Sequence, residues 1–133
     1  MPPIVVDASA AVELLLRTPA GLAVGRFLAS STVAVAPAHF DAEVFSALGR
    51  MVRDRAIEES SVAPALAVLT RAPIRRSPIA PLLAEAWSLR ANVSQRDALY
   101  VVLARRLKAT LLTADRRLAR APGLGVPVAT VLP

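Results

Sequence analysis

The sequence predicts an α/β protein built on a mainly parallel β-sheet with helices packed on its faces. Strand-like apolar runs alternate along the chain with helical patterns, which is the order that βαβ units produce. The first run, Ile4 to Val6, has three β-forming apolar residues in succession, as in a strand buried on both faces. At 133 residues and 55% apolar, the chain is long enough for one domain, over 1–133, with its own core.

The first half of the chain contains two predicted strands and four predicted helices. The strands cover 4–6 and 32–36, and the helices cover 8–17, 19–30, 38–56 and 58–70. Thr18 precedes Pro19 as a cap precedes a first-turn proline, and Pro37 is expected to stop the second strand. The helix over 38–56 has an apolar stripe that is expected to face the core. The stripe consists of Phe40, Val44, Ala47, Leu48, Met51 and Val52.

The second half continues the same alternation. Its predicted strands cover 74–79, 110–113 and 126–131, its helices cover 82–91 and 95–109, and a helical turn covers 116–121. The run over 74–79 lies between prolines, which favours a short edge strand. Gly123 and Gly125 mark a loop before the last strand.

Charge and composition exclude several classes of function. The formal net charge of +6 favours phosphate-rich partners, acidic proteins or membrane surfaces. The absence of cysteine excludes disulfides, thiolate zinc sites and a cysteine nucleophile. The single histidine, His39, excludes a two-histidine ribonuclease. It either lines a functional pocket or makes a local bond at a helix start. The patterns of a P-loop, a dinucleotide fingerprint and a hydrolase elbow are absent.

The chain shows no targeting signal. No basic segment followed by an apolar core opens the sequence, so no signal peptide is predicted. The longest uncharged stretch, between Arg26 and Asp41, is too short to span a bilayer. We therefore expect a cytoplasmic protein that makes no membrane contact.

Four of the ten acidic residues occupy related places. Asp7 directly follows the first strand, and Asp115 follows the strand over 110–113. Glu43 and Asp97 lie in the first turns of two helices. Strand ends and helix starts share the edge of a parallel sheet where ligands bind, so we expect the four carboxylates to gather there. A divalent cation such as Mg²⁺ or Mn²⁺ relieves their repulsion and can activate water for attack on a phosphate.

Each of these acids also has an ordinary structural alternative. Asp7 and Asp115 are placed as N-caps after strands. Asp97 completes a capping-box spacing at the start of its helix. Glu43 lies beside the apolar stripe and is placed to pair with a nearby arginine.

The acids lie in four distinctive segments. These are IVVDASAAVELLL at 4–16, APAHFDAEVFSALGRMVR at 36–53, RDALYVVLARRL at 96–107 and TLLTADRRLA at 110–119. In this order and spacing, the segments resemble PIN-domain proteins, specifically the VapC-type toxin ribonucleases of type II toxin–antitoxin pairs. The resemblance runs almost from end to end of the chain.

The resemblance implies a three-layer α/β/α PIN-like fold and an endoribonuclease that depends on Mg²⁺ or Mn²⁺. The residues that it assigns to metal binding and catalysis are Asp7, Glu43, Asp97 and Asp115. Ser9 and Thr113 are implied as supporting residues of the metal site, with local backbone bonding as their alternative. The resemblance further implies a homodimer, silenced by a cognate VapB-type antitoxin whose tail can enter the active site.

Arginines are expected to hold the backbone of the RNA substrate. The candidates are Arg75, Arg76, Arg96, Arg116 and Arg117. Two positions depart from the family pattern: Ser46 stands where asparagine is frequent, and Arg96 stands where tyrosine is common. These departures affect pocket polarity and substrate contact respectively, and neither removes a carboxylate.

Two other functions stay open at this point. A catalytically silent PIN-like module would use the same surface to bind RNA or a protein, although the intact acidic set argues against it. A phosphotransferase or phosphohydrolase would use Asp7 as its nucleophile. Such sites usually need a second acid where Ser9 stands and a helper lysine, whereas Lys108 lies at the far end of its helix.

Overall fold

The computed structural model describes residues 2–31 and 33–132, and it confirms the α/β class. The strands are β1 Ile4–Val6, β2 Ala34–Pro37, β3 Ile74–Ser77, β4 Thr110–Thr113 and β5 Val128–Thr130. The helices are α1 Ala8–Leu15, α2 Pro19–Ser30, α3 Phe40–Arg53, α4 Val62–Arg71, α5 Leu83–Trp87, α6 Gln95–Leu107 and α7 Arg116–Arg120. Short 3₁₀ turns over Glu59–Ser61 and Ala80–Leu82 lead into α4 and α5.

The five strands form one sheet in the order β3-β2-β1-β4-β5, and every neighbouring pair is parallel. The chain runs from β1 to β2 to β3, and the rule that such crossovers are right-handed places α1 to α4, which pack on one another, on one face of this sheet. The chain then returns across β1 to β4 and β5, which places α5 to α7 on the other face. The result is the expected three-layer arrangement. The winding direction reverses between β1 and β4, and their carboxyl ends therefore flank the crevice where such sheets bind ligands.

Helix α6 is the most deeply buried helix next to this crevice. Residues 98–104 are all buried, and the helix packs against β1, β2 and β4. A helix that is apolar nearly all round belongs inside a protein, and α6 joins the one core of buried apolar residues. Within the described ranges, no helix is long and apolar enough to cross a membrane.

Several element boundaries differ from their predicted positions for local reasons. Pro37 is the last residue of β2 rather than a residue beyond it, and pairing continues from the Ala38 N–H to the Ser77 carbonyl over 2.7 Å. Thr32, in the predicted second strand, lies outside the described residues. The predicted helices over 38–56 and 82–91 shorten to α3 and α5, and the last strand shortens to β5 after Pro127, which has no N–H to donate.

Candidate active site

Asp7 lies at the carboxyl end of β1, where it is 5% exposed. It occupies the N-cap position of α1, but its side chain makes no capping bond, so the capping alternative for Asp7 is wrong. Its Oδ2 atom instead accepts a short hydrogen bond from the Ser9 hydroxyl and one of 2.8 Å from the Thr113 hydroxyl. Burial raises the pKa of Asp7 to about 6, although both hydrogen bonds lower it, and the charges of Asp97 and Glu43 raise it further.

The two hydroxyls also join the ends of β1 and β4. Ser9 Oγ accepts from the Ala114 N–H over 2.9 Å, and Thr113 Oγ1 accepts from the Asp115 N–H over 3.0 Å. Because each oxygen already receives a backbone proton, each hydroxyl is free to direct its own proton at Asp7. Ser9 and Thr113 therefore fix the Asp7 carboxylate in the crevice between the two strands.

Glu43 lies in the first turn of α3 with a largely buried side chain. The Tyr100 hydroxyl donates to its Oε1 atom over 2.7 Å, and His39 Nε2 lies 3.4 Å from the same oxygen. The other oxygen, Oε2, lies 3.7 Å from Arg96 Nε. Burial, and then the charge of Glu43, raise the pKa of Tyr100, so its hydroxyl stays protonated and acts as the donor.

Asp97 and Asp115 open α6 and α7 and are half-buried. The N-cap of α6 is Ser94, whose side chain accepts from the Asp97 N–H over 3.2 Å. Asp115 caps α7 by accepting from the Arg117 N–H over 2.8 Å, which confirms its structural alternative. Capping occupies only Oδ1 of Asp115 and leaves Oδ2 for a ligand.

The four carboxylates affect one another electrostatically across the crevice. Burial raises the pKa of Asp97, a hydrogen bond with Ser94 opposes this, and the charges of Asp115 and Glu43 raise it again. Within residues 2–31 and 33–132, however, no three acidic or histidine side chains are grouped closely enough to hold a metal ion as they stand. The four candidate ligands are all carboxylates that repel one another, and such a group suits a hard divalent cation. Binding this cation would require the carboxylates to move closer together.

A cleft of about 780 Å³ opens beside two of these four acids. Asp97 and Asp115 line it, together with four arginines. The arginines are Arg50, Arg90, Arg96 and Arg117. Positive side chains around an acidic floor can hold a phosphate backbone above a carboxylate-bound ion.

Two of the arginines that line the cleft were missed by the sequence analysis. Arg50 follows Glu43 by seven residues, which brings it within about 20° of the same helix face, so the helical periodicity contains the signal. Arg90 lies in the turn after α5, where no periodicity applies, and its guanidinium lies 4.8 Å from the centre of the Trp87 ring.

The remaining predicted RNA contacts have different surroundings. Arg76 makes five hydrogen bonds inside the protein, two to the Asp41 carboxylate and three to backbone carbonyls, which occupies every donor of its guanidinium. The surroundings of Arg76 therefore do not support the prediction that it contacts RNA. Its side chain instead joins β3 to α3 and α4. Arg75 and Arg116 are exposed and lie outside the cleft lining.

Comparison with known proteins gives consistent matches over nearly the whole chain. Residues 4–124 match the family model described as "PIN domain". Ribonuclease VapC3 of Mycobacterium tuberculosis is 50% identical over 118 residues, which cover 89% of this chain and 86% of that protein. Ribonuclease VapC12 of the same organism is 44% identical over 120 residues, covering 90% and 92% of the two chains.

Solved structures show the same fold at low sequence identity. The crystal structure of VapC20 of M. tuberculosis, described as a toxin that cleaves the sarcin–ricin loop, matches with a TM-score of 0.62 at 21% identity, covering 87% of this chain and 92% of that one. PAE2754 from Pyrobaculum aerophilum matches with a TM-score of 0.67 at 19% identity, covering 96% and 83%.

Proposed function

The chain belongs to the PIN domain family, and from that premise we propose that it is the toxin of a toxin–antitoxin pair, a ribonuclease that cleaves RNA with a divalent metal ion. The observation that carries the proposal is the placement of Asp7. A buried carboxylate, held by two hydroxyls at the switch point of the sheet and repelled by Asp97 and Glu43, is electrostatically unfavourable unless a cation joins it.

The proposed ligands of one or two Mg²⁺ or Mn²⁺ ions are the four carboxylates. These are Asp7, Glu43, Asp97 and Asp115. When bound, the ion supplies an acidified water and neutralises charge that develops on the scissile phosphate. Ser9 and Thr113 hold Asp7 in one orientation, and one carboxylate takes the proton of the attacking water. The 3′ oxygen then leaves, and the products carry a 5′ phosphate.

The RNA backbone is proposed to lie in the arginine-lined cleft. Arg50, Arg90, Arg96 and Arg117 surround Asp97 and Asp115, so phosphates would approach the acids between positive side chains. Each phosphate contact by such an arginine adds to the salt dependence of binding. The chain's net charge of +6 attracts a polyanion over longer distances.

A VapB-type antitoxin and a second copy of the chain are the proposed protein partners, acting in the cytoplasm. We propose the helices over 8–30 and 38–56 as the docking surfaces, and apolar side chains are exposed there on α2 and α3. Leu22 and Phe45 are each 62% exposed, and Phe27 is 38% exposed. Co-purification with the product of the adjacent reading frame tests the antitoxin, and sedimentation equilibrium tests the homodimer.

The alternative, a silent module that binds RNA or a protein, is favoured by one observation. The carboxylates are not gathered in ligand positions within the described part of the chain. RNA binding without product at any Mn²⁺ concentration would favour this alternative. The phosphoaspartate alternative is less favourable, because Asp7 is buried and its Oδ2 atom receives two hydroxyl protons.

The test of the proposed function uses a labelled RNA with purified variants. Asp7→Asn and Asp97→Asn are expected to abolish Mn²⁺-dependent cleavage while circular dichroism shows an unchanged fold. Asp54→Asn, which neutralises an exposed acid at the far end of α3, is the matched control and should keep full activity. Chelation by EDTA should stop wild-type cleavage, and full activity of both site variants would reject the assignment.

A further inference from the structure

Tyr100 is a polar residue at the centre of the most buried helix. Its side chain is 0% exposed on α6, and its hydroxyl donates to Glu43 Oε1 over 2.7 Å across 57 positions of sequence. Phenylalanine would fill the same space in the core. The hydroxyl is therefore unnecessary for packing, and its partner is one of the four carboxylates of the proposed active site.

The His39 ring lies close to the same oxygen. Its Nε2 atom lies 3.4 Å from Glu43 Oε1 and 3.2 Å from the Arg96 carbonyl oxygen, and both neighbours are acceptors. Nε2 must therefore carry the proton. The imidazole also packs on the Tyr100 ring, with centroids 5.0 Å apart and planes tilted by 54°. Glu43 Oε1 thus accepts one hydrogen bond, from Tyr100, and lies close to the His39 ring.

The second oxygen of Glu43 is in a different environment. Oε2 has Arg96 Nε at 3.7 Å, and the Arg96 side chain is 72% exposed and able to move away. One oxygen of the carboxylate is hydrogen-bonded inside the protein, and the other faces Arg96, a side chain that lines the cleft.

We propose that Tyr100 is a positioning residue that fixes Glu43 through Oε1, so that Oε2 alone is presented to the divalent cation. The proposal rests on the metal-dependent function proposed above. A glutamate side chain has three rotatable bonds, and ordering it opposes ion binding unless folding has already ordered it. The Tyr100 hydroxyl provides that order, and donors behind metal ligands typically change metal affinity by about 10–100-fold.

The test measures Mn²⁺ affinity by titration calorimetry, without RNA, so that activity is not the readout. The proteins are wild type, Tyr100→Phe, Glu43→Gln and the double variant. Tyr100→Phe is expected to weaken Mn²⁺ binding by at least about tenfold in the wild-type background and to have little effect in the Glu43→Gln background. With RNA, kcat should fall while KM for RNA stays the same.

Thr18→Val is the matched control, because Thr18 donates to Glu13 Oε2 over the same 2.7 Å in a place remote from the cleft. It should lower the unfolding temperature and leave Mn²⁺ affinity unchanged. If Tyr100→Phe lowers only the unfolding temperature, with wild-type Mn²⁺ affinity, the hydroxyl is structural and the inference is overturned alone. If wild type itself binds no Mn²⁺, the proposed metal site fails and this inference fails with it.

Discussion

Replacing Asp7 with asparagine should stabilise the metal-free protein at neutral pH while it abolishes cleavage. The pKa of Asp7 is about 6 in the folded protein, above its ordinary value of 3.8. The native state therefore keeps the proton over a pH range in which the unfolded chain has released it. The free energy of unfolding therefore falls as the pH rises from about 4 to about 6. Above that range the whole of this contribution to stability is lost.

The magnitude follows from the size of the pKa shift. At about 1.4 kcal/mol per pKa unit, the shift from 3.8 to about 6 corresponds to about 3 kcal/mol of stability lost at neutral pH. Asparagine removes the charge and keeps an oxygen that accepts from Ser9 and Thr113. Its NH₂ group adds donors that need partners, which reduces the gain. We expect Asp7→Asn to be about 1–3 kcal/mol more stable than wild type at pH 7.5.

Urea unfolding of metal-free protein at pH 4.5 and pH 7.5 measures this difference. The gain should be large at pH 7.5 and small at pH 4.5, and Asp54→Asn should follow wild type at both values. Adding Mn²⁺ should raise the stability of wild type much more than that of Asp7→Asn. The reasoning is refuted if Asp7→Asn is no more stable than wild type at pH 7.5, or if its free energy of unfolding depends on pH as that of wild type does. Either result would mean that the Asp7 charge does not destabilise the metal-free protein.

Further predictions concern three other residues. Thr113→Val should slow Mn²⁺-dependent cleavage and lower stability by about 1–3 kcal/mol, because the Asp115 N–H and Asp7 both lose a partner. Thr113→Ser should restore cleavage, and failure to do so would contradict the hydroxyl's role. Arg117→Ala should weaken RNA binding and reduce the slope of log affinity against log salt by about 1, as filter binding at several salt concentrations would show. Arg76→Ala should lower the unfolding temperature in calorimetry and leave the slope of log affinity against log salt unchanged. A reduced slope would show that Arg76 contacts RNA after all.

The sequence predicted the elements that carry the acids because their signals are local. A short buried strand, a capped helix start and a proline are each recognisable within a few residues, and the four acids were placed by their positions in such elements. The contacts of those acids were not local. Thr113 reaches Asp7 across 106 positions and Tyr100 reaches Glu43 across 57, and no periodicity encodes either contact.

The same difference between local patterns and long-range contacts explains the outcome of the arginine predictions. Arg76 looked free because its partner, Asp41, is 35 positions away, and the strand pattern around Arg76 contains no sign of it. Arg50 could have been found, because it shares a helix face with Glu43 and helical spacing is local. Prediction from sequence thus named the candidate residues but did not show how their side chains are held.

Arg96 connects the acidic and basic halves of the cleft. Burial raises the pKa of Asp97, and the charge of Arg96 opposes that rise. The Arg96 Nε atom also lies 3.7 Å from Glu43, so in the absence of an ion Arg96 partly offsets the repulsion among the carboxylates. Its side chain is 72% exposed, and an ion pair so open to water contributes little stability. A divalent cation at the carboxylates would repel Arg96 and displace it at small cost. The freed guanidinium would then lie in a cleft lined by three other arginines, where an RNA phosphate is its natural partner. Metal binding and RNA binding would therefore favour each other through this one side chain.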